Sequence, residues 1–404
     1  MNSKIASMTD NTKYLVPMSS PDISAADRQA VLDVLNTPVL SMGSRIHHFE
    51  EQFKEYTSCR NAIGVSSGTA GLHLCVRAAG IGMGNLVITT PFSFVSSTNV
   101  ILFENAIPIF VDVVEETGNM DIEQTRQAAK DLMQGEDRAR RWLPRKGVEN
   151  KGALKALLTV DVFGQPADLD ALKEITDQYH LKFIEDACEA LGAVYKKYKA
   201  GTAADYGVFA FYPNKQITTG EGGMIVTNDD GAAELMRSLR NQGRAVGDTW
   251  LQHTFLGYNY RMDEMSAALG SSQFTRLEEL ISKRQKVAGA YNERLAQIPG
   301  VIIPATSPDT TRVSWFVYVI HFAEHLDRNR IAADLEKAGI PVRPYFLPIH
   351  LQPYMMEKFG YQEGDFPVTE KLGKNGLALP FSSIMSESQV ELVCKNIRES
   401  INQI

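Results

Sequence analysis

Apolar positions recur along this chain in two alternating rhythms. Residues 25–35, with Ser24 ahead of them, carry apolar side chains at helical spacing, and a serine cap before such a run predicts an amphipathic helix. A second helix is expected at 46–56, and 61–65 reads as a short strand running into Ser66-Ser67-Gly68-Thr69-Ala70-Gly71. Helical periodicity then resumes through Leu72, Leu74, Cys75, Val76 and Ala79. The alternation continues with strands at 86–90, 107–112 and 157–162, a strand from Lys182, and one at 208–212. Helices are expected at 95–103, 121–133, 169–179 and 232–240. Short apolar strands alternating with amphipathic helices predict an α/β fold built on a parallel sheet. Beyond it, 262–297 reads as helical, 315–320 as a strong strand, 328–338 as a helix and 387–404 as a terminal helix. Residues 1–15 are polar and read as a flexible N-terminal arm, with a large unit at 16–270 and a small C-terminal α/β unit at 271–404.

Composition narrows the classes. The chain has 404 residues, is 44% hydrophobic and carries a formal net charge of -7. An acidic chain with no basic stripe offers no nucleic-acid surface. Its four cysteines are widely spaced without a CxxC pair, so neither a zinc site nor a disulfide framework is expected. The start lacks an apolar leader and no stretch nears 18 apolar residues, so the chain is expected to be cytoplasmic, without a membrane span. One basic island interrupts it: Arg138, Arg140, Arg141, Arg145, Lys146 and Lys151. It reads as a solvated surface insertion in preference to a lip for an anionic substrate.

Three places carry candidate chemistry. The turn at Ser67, Gly68 and Thr69 joins a strand to a helix, and free N–H groups with the helix dipole make such a turn an anion cradle; ordinary capping is an equal reading. Asp186 ends an apolar strand, where an acid is costly unless paired. Its partner is a protonated pyridine nitrogen, an arginine, or a following helix start. Lys215 lies two residues after Pro213 and before Gly220, Gly222 and Gly223, on a loop where backbone can approach a ligand. It reads as a Schiff-base lysine or as a solvated surface one. Phe92 and Phe94 leave a strand end, as core or as a stacking platform for a planar cofactor. His73, inside its helix, is expected to be a packed or partly exposed histidine rather than a catalytic one.

Ser67-Gly68-Thr69-Ala70, Phe94, Glu185-Asp186-Ala187-Cys188-Glu189-Ala190 and Phe211-Tyr212-Pro213-Asn214-Lys215 together resemble the DegT/DnrJ/EryC1/StrS family, over about residues 16–400. Segments 160–168, 257–262 and 345–353 extend the resemblance. It implies the aspartate aminotransferase-like fold type I of enzymes dependent on pyridoxal 5'-phosphate (PLP), with a mostly parallel, seven-stranded mixed sheet in the large domain. It also implies a sugar-nucleotide aminotransferase. In that reading Lys215 forms the internal aldimine, Asp186 pairs with the pyridinium nitrogen, and Gly68, Thr69 and Ala70 hold the phosphate. Phe94 stacks on the ring, Glu189 lies near its hydroxyl, and Asn259 reaches the phosphate of a neighbouring subunit, which implies a homodimer with shared active sites. Tyr212 and His350 border the substrate. Glutamate would convert PLP to pyridoxamine phosphate, which then aminates a keto sugar carried on a nucleotide.

The chain departs from the family pattern at Ala210, where a serine phosphate ligand is common, and at Glu189, where glutamine or histidine is. An acid there repels an anionic phenolate unless it is protonated or turned toward substrate; some perosamine-type synthases resemble the chain at that position. Asn85 also replaces a usual aspartate. Two rivals remain: a sugar dehydratase, disfavoured because that branch has histidine in place of Lys215, and a non-catalytic PLP-binding regulator, for which no DNA-binding segment is evident. No GxGxxG follows the first strand, which disfavours a nicotinamide dehydrogenase.

Overall fold

The structure is a computed structural model that describes residues 14–403. The arm expected at 1–15 falls for the most part on residues 1–13, outside the described residues, as does the last residue of the expected terminal helix. Helices α1 (Ala25–Leu35) and α2 (Ser44–Thr57) lead into β1 (Asn61–Val65), α3 (Gly68–Ala78), β2 (Leu86–Thr89), α4 (Ser96–Phe103), β3 (Ile107–Phe110), α5 (Ile122–Gln134) and α6 (Glu136–Arg140). There follow β4 (Leu154–Val160), α7 (Leu169–Tyr179), β5 (Lys182–Asp186), β6 (Val194–Tyr195), β7 (Tyr198–Lys199), β8 (Tyr206–Ala210), β9 (Gly223–Thr227) and α8 (Asp230–Arg240). Next come α9 (Glu264–Phe274), α10 (Leu277–Leu295), β10 (Val301–Ile302), β11 (Thr310–Arg312) and β12 (Tyr318–Phe322). The chain closes with α11 (Arg328–Lys337), α12 (Pro353–Phe359), α13 (Pro367–Asn375), β13 (Gly376–Leu379) and α14 (Glu387–Ile401).

Local chemistry fixes many of these starts. Ser24 and Ser386 close capping boxes on α1 and α14, and aspartates cap α5, α7, α8, α9 and α11, each satisfying an N–H that the helix itself leaves unpaired.

The main sheet has seven strands in the order β1-β9-β8-β5-β4-β2-β3. β3, β2, β4, β5 and β8 run parallel, while β9 lies antiparallel between β8 and β1. Its inner strands are buried along almost their whole length, as parallel strands covered on both faces must be. A separate core gathers Tyr291, Tyr318, Ile320, Leu335, Leu377 and Ile397 around the antiparallel sheet β10-β12-β13. Helix α10 serves both masses: Leu277, Leu280 and Ile281 pack into the first, and Val287, Tyr291 and Leu295 into the second.

Four expected elements shift. The strand expected at 157–162 is Leu154–Val160, because the chain turns sharply where Phe163 and Gly164 take positive φ of 58° and 92°. The one expected at 208–212 is Tyr206–Ala210, so Phe211 and Tyr212 belong to the loop beyond. The long helix expected at 262–297 breaks at Thr275 and Arg276. Arg276 there pairs with Asp22, Asp27 and Glu279. The strand expected at 315–320 is Tyr318–Phe322, since Trp315 sits at φ 52° and cannot be extended.

Candidate active site

In an open α/β sheet the carboxyl ends of parallel strands, together with the helix starts beside them, form the natural ligand crevice. Here β4, β5 and β8 end beside the start of α3, around a cleft of about 520 Å³ lined by Gly68, Thr69, Phe94, Asp186, Glu189, Tyr212 and Lys215, among others.

Asp186 is the last residue of β5 and is buried. Its Oδ2 accepts a hydrogen bond from Ser97 Oγ at 2.7 Å, and its Oδ1 accepts one from the Cys188 N–H at 3.2 Å. Neither donor carries a charge, and among the described residues no arginine or lysine pairs with this carboxylate. The salt-bridge alternative therefore falls away, and the carboxylate is open to a cation supplied from the cleft.

Lys215 is not a solvated surface residue. Its side chain is only 12% exposed, with Nζ 3.7 Å from Glu189 Oε1 and 3.7 Å from the centre of the Phe316 ring. The other Glu189 oxygen, Oε2, accepts the Phe163 N–H at 3.0 Å. Burial pushes the Glu189 carboxyl up from the usual range, opposed by the Lys215 charge and that N–H.

The turn before α3 is built for close approach. A Cβ on Gly68 would meet Ala210 Cβ at 2.7 Å and Cys188 Sγ at 2.8 Å, and one on Gly223 would meet the Ser67 carbonyl oxygen at 2.7 Å. The Ser67 hydroxyl caps α3 by accepting the Ala70 N–H at 3.0 Å, which leaves Gly68 and Thr69 as the first-turn donors without an intrahelical acceptor. Ala70 does not line the cleft. The Thr69 hydroxyl donates to Ser96 Oγ at 2.9 Å, and both residues line the cleft together with Ala210. Asn214 Oδ1, beside Lys215, is buried without a hydrogen-bond partner in the structure.

The remaining expected site residues divide. Phe94 and Tyr212 line the cleft yet are 62% and 52% exposed. Asn259 does not line the cleft of its own chain; it is exposed, and its main chain bridges to Asn241. His350, expected to border the substrate, is fully buried and does not line the cleft; it is bonded through Nε2 to Glu370 at 2.9 Å and packed on Phe366. His73 is packed as expected, between Tyr260 and Glu104. In the basic island, Arg141 pairs with Asp131 and Arg145 with Asp365, and neither lines the cleft.

Sequence reading missed Ser97, Phe316 and Arg284. Ser93, Ser96 and Ser97 form a polar cluster at the start of an apolar helix, a signal that could have been read. Phe316 and Arg284 meet Lys215 only through tertiary folding and carry no local signal. No helix among the described residues is long and apolar enough to cross a membrane.

Comparison with known proteins agrees with this geometry. The model of the DegT/DnrJ/EryC1/StrS aminotransferase family matches residues 21–398. GDP-perosamine synthase of Caulobacter vibrioides is 33% identical over 94% of this chain and 96% of its own length. A Bacillus subtilis protein named putative pyridoxal phosphate-dependent aminotransferase EpsN is 32% identical over 92% of this chain and 92% of its own. Among solved structures, S. venezuelae DesV superposes with a TM-score of 0.84 at 29% identity, covering 96% of this chain and 99% of that one. The expected architecture, PLP fold type I with its seven-stranded mixed sheet, is the one observed. The chain belongs to the DegT/DnrJ/EryC1/StrS aminotransferase family.

Proposed function

We propose that this chain moves an amino group from an amino-acid donor, glutamate, onto a keto sugar carried by a nucleotide, with Lys215 and Asp186 as its catalytic residues. One observation carries the reading. A lysine whose side chain is only 12% exposed and a buried carboxylate without a cation among the described residues face one cleft whose third wall is an open helix start.

The residues fit PLP, the cofactor of this family. Backbone at Gly68 and Gly223 packs too closely for a side chain, so the N–H groups of Gly68 and Thr69 are free to hold a phosphate. The hydroxyls of Thr69 and Ser96 stand in for the serine that Ala210 replaces. Phe94 is placed at the mouth, where it can cover a planar ring. When bound, PLP supplies a cationic ring that accepts the electron pair left at the donor carbon and a site that carries the amino group between half-reactions.

The chain's own residues do the rest. Asp186, kept in place by Ser97 and the Cys188 N–H, holds a negative charge against the ring nitrogen. Lys215 Nζ is the nucleophile and, once free, the base that takes a proton from the donor carbon and returns it at the neighbouring one. Glu189 Oε1 faces that amine and its Oε2 is held by the Phe163 N–H, an orientation that offsets an acid's repulsion of an anionic ring hydroxyl. Phe316 and Tyr345 close the cleft behind Lys215 and keep water from it.

A homodimer with shared sites belongs to the same proposal. Asn259 is exposed and does not line its own cleft, the cleft mouth is exposed at Phe94 and Tyr212, and the loop before Asn259 exposes Trp250 at 77% and Leu251 at 81%. A second copy covering that loop would bury apolar surface and bring its Asn259 to the phosphate. The division at residues 16–270 and 271–404 is proposed as well, with α10 as the helix both cores share.

Borohydride treatment of the PLP-loaded protein should leave a stable label on Lys215, found by peptide mass spectrometry. Glutamate should then convert the cofactor to its amino form, and a panel of keto-sugar nucleotides should restore it. Normal labelling and amino transfer by Lys215→Ala would refute the assignment.

A further inference from the structure

Arg284 lies in the middle of α10 and is 2% exposed. Burial lowers its pKa to about 10, so it stays charged at neutral pH, and among the described residues no carboxylate accompanies it. A lone buried cation costs least where its donors are satisfied; here both terminal nitrogens are, and Nε alone has no partner among the described residues. Nη1 donates to the Trp315 and Phe316 carbonyls at 3.1 Å each, and Nη2 donates to those of Asn214 and Lys215 at 3.0 and 2.6 Å. One planar fork therefore joins two main-chain segments that lie far apart in sequence. The first bears the Lys215 amine. The second bears Phe316, whose ring centre is 3.7 Å from Lys215 Nζ.

The second segment also needs holding. Trp315 has φ 52°, a left-handed conformation that costs an ordinary L residue free energy and persists where its surroundings fix it. Two bonds bracket it: Arg284 takes its carbonyl, and Gln285, the next residue of the same helix, accepts its indole N–H at 2.7 Å. α10 thus grips the strained turn and the Lys215 loop with adjacent side chains, while its own apolar face is divided between the two cores.

We propose that Arg284 is a positioning residue for amino transfer: its fork binds the main chains of Lys215 and Phe316 into one unit, setting Nζ against the Phe316 ring and tying the nucleophile to the seating of α10 on the C-terminal core. A lysine cannot replace it, because one ammonium presents its donors from a single point and cannot span four carbonyls. The role of Lys215 as nucleophile comes from the proposed function; the mechanical link does not depend on it.

The test is amide hydrogen exchange on the full-length, cofactor-free protein as wild type, Arg284→Lys and Arg284→Met. The Lys215 N–H is bonded to Tyr212 O at 2.9 Å and the Phe316 N–H to Phe163 O at 3.2 Å, so both are readable. In Arg284→Lys the two amides should exchange about tenfold faster, and together, while those of β5 and β8 keep wild-type rates. Arg284→Met should show the same pattern more strongly. In the loaded enzyme, kcat of Arg284→Lys should fall about tenfold with the donor KM changed by less than about twofold. Unchanged exchange at both amides overturns the link, and so does a rise spread evenly over both cores, which marks a merely structural role. A wild-type protein with no transferase activity sinks the proposed function and leaves the exchange result to decide the link.

Discussion

Ser97 Oγ lies 2.7 Å from Asp186 Oδ2, inside a wall where that carboxylate has no cation among the described residues. Ser97 is itself bonded to Ser93 at 2.9 Å, so the hydroxyl chain fixes which way the acid points. Removing it in Ser97→Ala should lower kcat about tenfold, the size of one charge-assisted hydrogen bond, with little change in melting temperature. Steady-state kinetics beside thermal unfolding checks this; a large melting loss with normal kcat would contradict it.

Gly223 backs the turn proposed to hold the phosphate, at a distance no side chain tolerates, with the Gly68 nitrogen 2.9 Å from where its Cβ would stand. Gly223→Ala must push that backbone outward, at a cost of about 1–3 kcal/mol of overpacking. Affinity for PLP should fall about tenfold, while affinity for pyridoxal, which lacks the phosphate, stays near the wild-type value. Spectrophotometric titration with both ligands measures the difference.

Beneath the cleft, Asp161 and Glu185 form a buried acid pair. Glu185 accepts the Gly201 and Ala203 N–H groups, whereas Asp161 Oδ1 accepts one, from Ala167. Burial and the neighbouring Glu185 charge push the Asp161 carboxyl well up, and burial raises Glu185 to about 7. Folded pKa values above the unfolded ones mean the folded chain binds protons more tightly, so the pair's contribution to stability is complete below about pH 4 and declines as pH rises through 7. Asp161→Asn keeps a donor toward Glu185 without a titrating proton. The variant should therefore lose less melting temperature between pH 5 and 8 than wild type, by about 3 °C or more. Parallel melting curves in the absence of cofactor decide it; equal slopes would remove the pair from the account.

Subunit sharing can be read by complementation. Lys215→Ala and Asn259→Ala should each be defective alone. If Asn259 serves the partner's cleft, a mixed dimer has one doubly damaged site and one intact one. Equal mixing after dissociation and reassembly should return about a quarter of wild-type activity. Mixtures that stay at the average of the two single variants would place Asn259 in its own chain's site.

Much of the fold was legible because its parallel strands are continuous apolar runs and its helices announce themselves with aspartate or serine caps, as at Asp168 and Ser386. The cleft was legible where chemistry is local: Asp186 ending a strand, Lys215 between a proline and glycines. It was not legible where long-range packing decides. Trp315 belongs to a strongly strand-forming run, yet it turns left-handed between Arg284 and Gln285. His350 has the local setting of a loop residue near substrate, but Glu370, twenty positions away, draws it inside. Ala70 occupies the cradle in sequence, while its N–H is already taken by Ser67.

The single reversed strand of the main sheet has a consequence for cofactor capture. Because β9 returns directly alongside β8, with Ala210 opposite Gly223 and the Phe211 N–H bonded to the Gly222 carbonyl, the segment bearing Lys215 is the closed tip of a hairpin rather than a connection feeding a helix. Both its ends are zipped before any ligand arrives. The entropy of arranging that tip is settled during folding, so empty and loaded protein should share one loop conformation, with Lys215 already gathered at the cleft before PLP arrives.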